Sequence, residues 1–245
     1  SKIKKIYSNL INEYKNNDIP LFSSFAGDYK FDFKKNILQK FKNKKNIIIV
    51  GVGGSILGSK AIYSFLQDKI KKKFHFLDNL SARNLFRLFS KKLSKSLYIF
   101  ISKSGNTIET VSNFILIKKK IKKDSSVLFI TEKRKNILYH LAKKLRYEII
   151  EHKNYIGGRY SVLSESGMLP AALMNLKVNK FKNFNSLIKN KKFVHNLLTN
   201  TQNLYELSKN NISNSIILSY DSDLEDLSYW YQQLVAESLG KKGKG

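Results

Sequence analysis

The 245-residue sequence predicts an α/β protein, a three-layer α/β/α sandwich with a parallel sheet. Three observations carry that expectation. Five short, nearly continuous apolar runs recur between residues 46 and 150, as strands buried on both faces do. A stretch with helical spacing follows each of the first four. Glycine- or hydroxyl-rich turns stand directly after the first and third runs, at the strand ends where open parallel sheets bind ligands.

In chain order, Ile3, Ile6, Tyr7, Leu10, Ile11 and Tyr14 lie at helical spacing within residues 1–17. Pro20 and Gly27 mark a loop, and residues 33–41 read as a short helix. The alternation then begins. Strands are expected at 46–50, 74–77, 97–101, 127–130 and 147–150. Helices are expected at 58–68, 81–89 with Ser81 as cap, 107 to about 123, and 136–145. Residues 157–164 form a glycine-led loop, 167–176 a short helix, and 179–209 an asparagine-rich helical stretch. The β-branched run Asn214–Tyr220 predicts one more strand, and 224–239 a last helix before the lysine–glycine tail at 241–245. The organisation expected is a helical lead-in at 1–41, one complete domain at 42–176, and the incomplete beginning of a second at 177–245.

Composition narrows the function. There is no cysteine, and the four histidines are scattered, so neither disulfides, a metal site nor another cofactor is expected. His75, His140 and His195 read as ordinary strand and helix residues. No apolar run reaches the roughly 18 residues of a membrane span. The first residues lack the apolar core of a signal peptide. A cytoplasmic protein without membrane partners is therefore expected. Lys and Arg number 45 against 18 Asp and Glu, a formal charge of +27. Such a charge suits nucleic acid, but the lysines are spread through the whole sequence among Asn, Ile and Phe. No basic arm or aromatic-interleaved stripe stands out, so no nucleic-acid partner is expected. The charge does favour anionic ligands by steering.

The turn at 51–58, GVGGSILG, is the strongest local signal. Strand, glycine turn and helix make a phosphate-site architecture, because glycines let backbone amides approach an anion and the helix start faces it. A dinucleotide fingerprint fails at Ile56, and a nucleotide P-loop fails because Ser59–Lys60 reverses its last two residues. The third strand runs into SKSGNT at 102–107, whose hydroxyls, amides and single lysine also suit a phosphate monoester. Arg159, bared in a glycine-led loop, is a candidate for stabilising developing negative charge. Glu237, near a helix end beside Gly240, is a candidate general base.

Together, VGGSILG (52–58), ISKSGNTIET (101–110), GGRYSVLS (157–164) and QQLVAESLGK (232–241) resemble the glucose-6-phosphate isomerase family, whose chains are built from sugar-isomerase (SIS) domains. The pieces occur in the family's order and span most of residues 46–245. The resemblance implies SIS-type domains and interconversion of glucose 6-phosphate and fructose 6-phosphate through an enediolate. It implies that Ser55, Ser102, Lys103, Ser104 and Thr107 hold the sugar phosphate, with the backbone of Gly54. Arg159 would stabilise the enediolate and Glu237 would move the proton between C2 and C1. The family also uses a histidine and a lysine downstream of its last motif, the histidine coming from the partner subunit of a homodimer. Nothing after residue 241 here matches them, and His152 and His195 lie upstream. The 245-residue chain alone is therefore expected to be inactive or nearly so. Competing readings are a non-catalytic sugar-phosphate sensor, an aminosugar isomerase and a basic nucleic-acid-binding protein. The base at Glu237 argues against a sensor, and the GGRYSVLS and QQLVAESLGK pieces disfavour the aminosugar enzyme.

Overall fold

The computed structural model describes residues 2–240 apart from 17, 92, 211 and 213; the tail at 241–245, with the Lys241 of the last motif, lies outside the described residues. Helix α1 spans Lys2–Asn16 and α2 spans Lys35–Lys40, with a 3-10 turn at Pro20–Phe25 between them. The alternating part follows as β1 Asn46–Val50, α3 Leu57–Leu66, β2 Lys73–Leu77, α4 Ala82–Ser90, β3 Ser96–Ile101, α5 Ile108–Lys118, β4 Ser126–Thr131, α6 Ile137–Lys144 and β5 Glu148–Glu151. A 3-10 turn at Gly158–Leu163 leads into α7 Glu165–Leu173, and α8 Phe184–Lys189, α9 Lys191–Lys209 and α10 Glu225–Leu239 complete the chain.

The five strands form one all-parallel sheet in the order β2-β1-β3-β4-β5. Their alternate residues serve two cores, which is why the runs are apolar throughout. Ile47, Ile49, Leu97, Ile99 and Leu128 face α2 and α7, meeting Ile37, Phe41, Met168 and Leu169. Ile48, Val50, Phe100 and Phe129 face α4, α5 and α6, meeting Leu85, Phe114 and Leu138. The three-layer arrangement is thus the expected one. The expected cap at Ser81 forms, and a second cap, at Asn136, was not expected. Ser81 caps α4 by accepting the Asn84 amide at 3.2 Å, and Asn136 caps α6 by accepting the Tyr139 amide at 2.8 Å.

Three expectations need correction. The strand at Asn214–Tyr220 does not form: the described residues there are neither helix nor strand. A strand needs a neighbour to take its backbone hydrogen bonds, and this segment joins no sheet among the described residues. Ile216 is 85% exposed and Leu218 73%. The helical stretch at 179–209 is broken into a 3-10 turn at Val178–Phe181, α8 and α9, with Asn190 capping α9 by accepting the Phe193 amide at 3.0 Å. Helix α5 stops at Lys118 rather than near 123, and the lysine-rich residues after it turn toward β4.

Candidate active site

β1 and β3 are paired side by side, Val50 opposite Phe100, so the turns that follow them leave the same edge of the sheet. The first turn packs against the end of β3: a Cβ on Gly51 would stand 2.9 Å from the Ile101 carbonyl oxygen. In the first turn Gly53 has φ +55°, a backbone state that favours glycine. The Ser55 amide donates to Val52 O at 3.2 Å, closing the turn before α3. In the second turn Ser102 and Thr107 share a hydrogen bond of 2.8 Å between their hydroxyls, and the Gly105 amide donates to Ser102 Oγ at 3.1 Å. The Ser104 hydroxyl accepts the Asn106 amide at 3.2 Å. Thr107 occupies the N-cap of α5 without capping it through its side chain. An ordinary hydroxyl-capped helix is therefore not what this turn is built for. Lys103 keeps its ammonium 4.0 Å from the buried Glu132, which also pairs with Arg134.

The Gly158–Leu163 turn locks onto the first glycine turn. Ser161 Oγ donates to Gly54 O at 3.0 Å. A Cβ on Gly54 would stand 2.2 Å from the Gly158 carbonyl oxygen and 2.6 Å from the Arg159 nitrogen, so only glycine permits this approach. The next residue, Arg159, turns toward α10. Its Nε donates to Ser238 Oγ at 2.9 Å, and Nη1 stands 3.6 Å from Glu237 Oε1. Its guanidinium also lies 4.7 Å from the centre of the Tyr160 ring, and the Tyr160 hydroxyl shares a 3.2 Å hydrogen bond with Ser238. Arg159 and Glu237, 78 positions apart in the chain, are thus neighbours.

Helix α10 is held there by polar fastenings to α3. Lys60 pairs with Asp226 at 3.1 Å and Asp78 at 3.3 Å; Ser64 donates to Asp226 at 2.5 Å, and Gln67 to Asp223 at 2.6 Å. Burial pulls the Lys60 pKa down, but the two carboxylates outweigh it and the net shift is upward.

Sequence reasoning passed over four neighbours of the site. Gln233 sits one helical turn before Glu237, and its amide nitrogen occupies the space a Cβ on Gly53 would need, 2.7 Å away. Its Oε1 is buried with no hydrogen-bond partner among the described residues. The four-residue spacing from Glu237 was the available signal. Ser161 and Ser238 lie inside the quoted motifs. His152, just past β5, is buried; its amide donates to Thr131 O at 2.9 Å and its Nδ1 lies 3.1 Å from Lys153 O. A carbonyl only accepts, so Nδ1 carries the proton. Burial above all, aided by Lys103 and opposed by the Lys153 carbonyl, lowers the His152 pKa to about 4. His75, half-buried in β2, is lowered to about 4 mainly by burial, with Lys91 and Lys73 adding to it. Among the described residues no cluster of His, Cys, Asp or Glu could hold a metal ion, and no helix is long and apolar enough to cross a membrane.

The family model described as phosphoglucose isomerase matches residues 35–244. Glucose-6-phosphate isomerase of Methanocaldococcus jannaschii is 32% identical, covering 98% of this chain and 60% of its own length. That of Campylobacter jejuni is 32% identical, covering 96% of this chain and 61% of its own. The chain thus spans about three-fifths of the length of these curated relatives. Among solved structures, a hypothetical protein from Thermus thermophilus superposes with a TM-score of 0.71 at 22% identity, over 97% of this chain and 61% of that one. A tagatose-6-phosphate ketose/aldose isomerase from Escherichia coli shares the fold with a TM-score of 0.55 at 16% identity, over 86% of this chain and 58% of that one. With the family model covering most of its length, the chain belongs to the phosphoglucose isomerase family.

Proposed function

We propose that the protein interconverts glucose 6-phosphate and fructose 6-phosphate as part of a cytoplasmic, homodimeric isomerase in which residues 177–245 begin a second sugar-isomerase domain. The observation that carries the chemistry is the placement of Arg159 beside Glu237 at 3.6 Å, with the glycine turn interlocked behind them. Aldose–ketose isomerisation needs a base over the C1–C2 edge and a cation beside the oxygen that gains charge. Glu237 takes the proton from C2 of the open-chain aldose. The C–H electrons form the C1=C2 double bond, and the carbonyl oxygen on C1 becomes the oxyanion that Arg159 stabilises. Glu237 then returns the proton to C1, while the hydroxyl proton passes from O2 to O1, leaving the carbonyl at C2. The turns at 51–58 and 102–107 supply amides, hydroxyls and Lys103 for the phosphate, with Gly54, Ser55, Ser102, Ser104 and Thr107 as its ligands. Gln233, with its unpartnered carbonyl next to Gly53, joins the substrate-facing set. In this reading the 245 residues bind the sugar phosphate but turn it over little or not at all by themselves.

Binding of fructose 6-phosphate at moderate salt tests this. The Ser102→Ala/Thr107→Ala variant is expected to lose binding and Glu237→Gln to keep it. Equal affinity in all three, or no preference over inorganic phosphate, would overturn the placement of the phosphate site. The same assay on a C-terminally extended chain, followed by turnover, tests the isomerase activity itself.

A further inference from the structure

Lys182 is a lysine with no place in the chemistry above, yet the residue is only 7% exposed. Its ammonium donates to the Leu163 carbonyl at the end of the Gly158–Leu163 turn and to the Ser24 carbonyl near the end of the Pro20–Phe25 turn. The last carbonyls of a helical turn have no partner within it and form its negative end. One cation therefore closes two such ends, where water has little access to replace it. The same ammonium lies 4.3 Å from the centre of the Tyr29 ring and 4.7 Å from that of Phe31. Tyr29 in turn donates to Glu165, with 3.0 and 3.2 Å to its two oxygens, and the Asp32 amide donates to Glu165 at 3.0 Å. Glu165 is fully buried and opens α7 two residues after Leu163. The far end of the arginine-bearing turn is thus fixed at two points, both reaching into the 20–33 segment.

We propose that Lys182 is a positioning residue for Arg159: it fastens the end of the Gly158–Leu163 turn and thereby sets where the guanidinium stands beside Glu237. A buried lysine and glutamate cost desolvation energy that apolar side chains would not, so mere packing does not account for them. What they add is location. A 3-10 turn rises about 2 Å per residue, so Leu163 lies only about 8 Å along the turn from Arg159, with no flexible joint between. The titratable groups facing Lys182 are Tyr29 and Glu165; Lys153 acts on Glu165 in turn, whereas Asp32 meets Glu165 through its backbone amide and gives its carboxylate to Lys133 and the Glu151 amide. Burial lowers the Lys182 pKa to about 8, with Glu165 opposing the shift. Burial raises those of Glu165 and Tyr29.

The chemical role of Arg159 rests on the isomerase reading; the fastening does not, and the test separates them. In the unmutated chain, the Arg159 Nε–H and Ser164 amide resonances are followed across the Lys182 midpoint of about 8. They are expected to shift together with that midpoint, and resonances flat across it would overturn the proposal. In parallel, hydrogen exchange of residues 158–164 is expected to quicken at least tenfold in Lys182→Met and to return toward the original rate in Lys182→Arg, while the β1 and β3 amides stay protected. A folded Lys182→Met with unchanged exchange there would also overturn it. As the functional readout, Lys182→Met is expected to weaken binding of a five-carbon aldonate 5-phosphate, whose planar carboxylate mimics the enediolate, about tenfold more than binding of inorganic phosphate. Equal losses for both probes would reduce Lys182 to a structural residue. If the unmutated chain binds no sugar phosphate, the placement of the phosphate site fails while the resonance and exchange results still decide the fastening.

Discussion

Replacing Gly54 by alanine, compared with the same change at Gly158, tests the interlock that places Arg159. The two glycines face each other across one backbone contact. A Cβ at Gly54 would stand 2.2 Å from the Gly158 oxygen, 2.3 Å from its carbonyl carbon and 2.6 Å from the Arg159 nitrogen. All three are backbone atoms, so no side chain can swing aside. Ordinary contact begins near about 3.5 Å, so the two segments must part by about 1 Å. Overpacking of this kind costs about 1–3 kcal/mol, and loss of the Ser161–Gly54 hydrogen bond adds about 1 kcal/mol. We therefore expect Gly54→Ala to lose roughly 2–4 kcal/mol in urea unfolding. A displacement of about 1 Å at a reacting group costs on the order of 100-fold, so activity in the extended chain should fall by that factor or more. Gly158→Ala differs completely. Its Cβ meets nothing within 4 Å, and Gly158 is not among the positive-φ glycines. That variant should be neutral or more stable by about 0.4–1 kcal/mol, because alanine narrows the unfolded ensemble. Urea unfolding and calorimetric binding of fructose 6-phosphate on both variants decide the matter. Equal behaviour of the two would refute the claim that the contact at Gly54 locks the arginine turn.

His152 should make the fold acid-sensitive. Its pKa is lowered from 6.5 to about 4, so the folded state holds fewer protons than the unfolded one in that interval, and stability drains away as pH falls from about 6.5 to 4. The full effect is about 3 kcal/mol, an upper bound. Because His75 titrates in the same direction, the informative quantity is the difference between the parent and His152→Gln in urea unfolding at about pH 7 and about pH 4.5. Parallel curves would rule His152 out. Lys60→Met leaves Asp226 and Asp78 without their shared cation and should cost about 2 kcal/mol. The loss should concentrate in α10, so its amides ought to exchange faster than those of β1; uniform exchange would show that α10 is held by other contacts.

The sheet was legible because its strands are buried on both faces, and such strands announce themselves as unbroken runs like 46–50 and 97–101. Helix starts were legible where a short polar side chain caps them, as at Ser81 and Asn136. The run at 214–220 has the same composition as a strand, but composition cannot supply a neighbour to pair with. The candidate residues stand out through their motifs, whereas the contacts between them do not. Nothing local says that Ser161 reaches Gly54, or that Lys182 reaches Ser24 across 158 positions. Those contacts depend on how segments cross in space. Lys182 and Glu165 look like any surface charge until burial is known.

The bared segment at 214–220 also bears on how these 245 residues behave in a test tube. It offers Ile216, Ile217, Leu218 and Tyr220 to solvent beside backbone groups that pair with no strand among the described residues, the features by which one chain templates pairing with another. Against that stands a charge of +27, which keeps copies apart at low ionic strength. Salt weakens that repulsion over a Debye length of about 8 Å at physiological ionic strength, but it leaves the apolar attraction in place. Light scattering should therefore show the chain clear in dilute buffer and clumping as sodium chloride is added, the reverse of a protein held together by ion pairs.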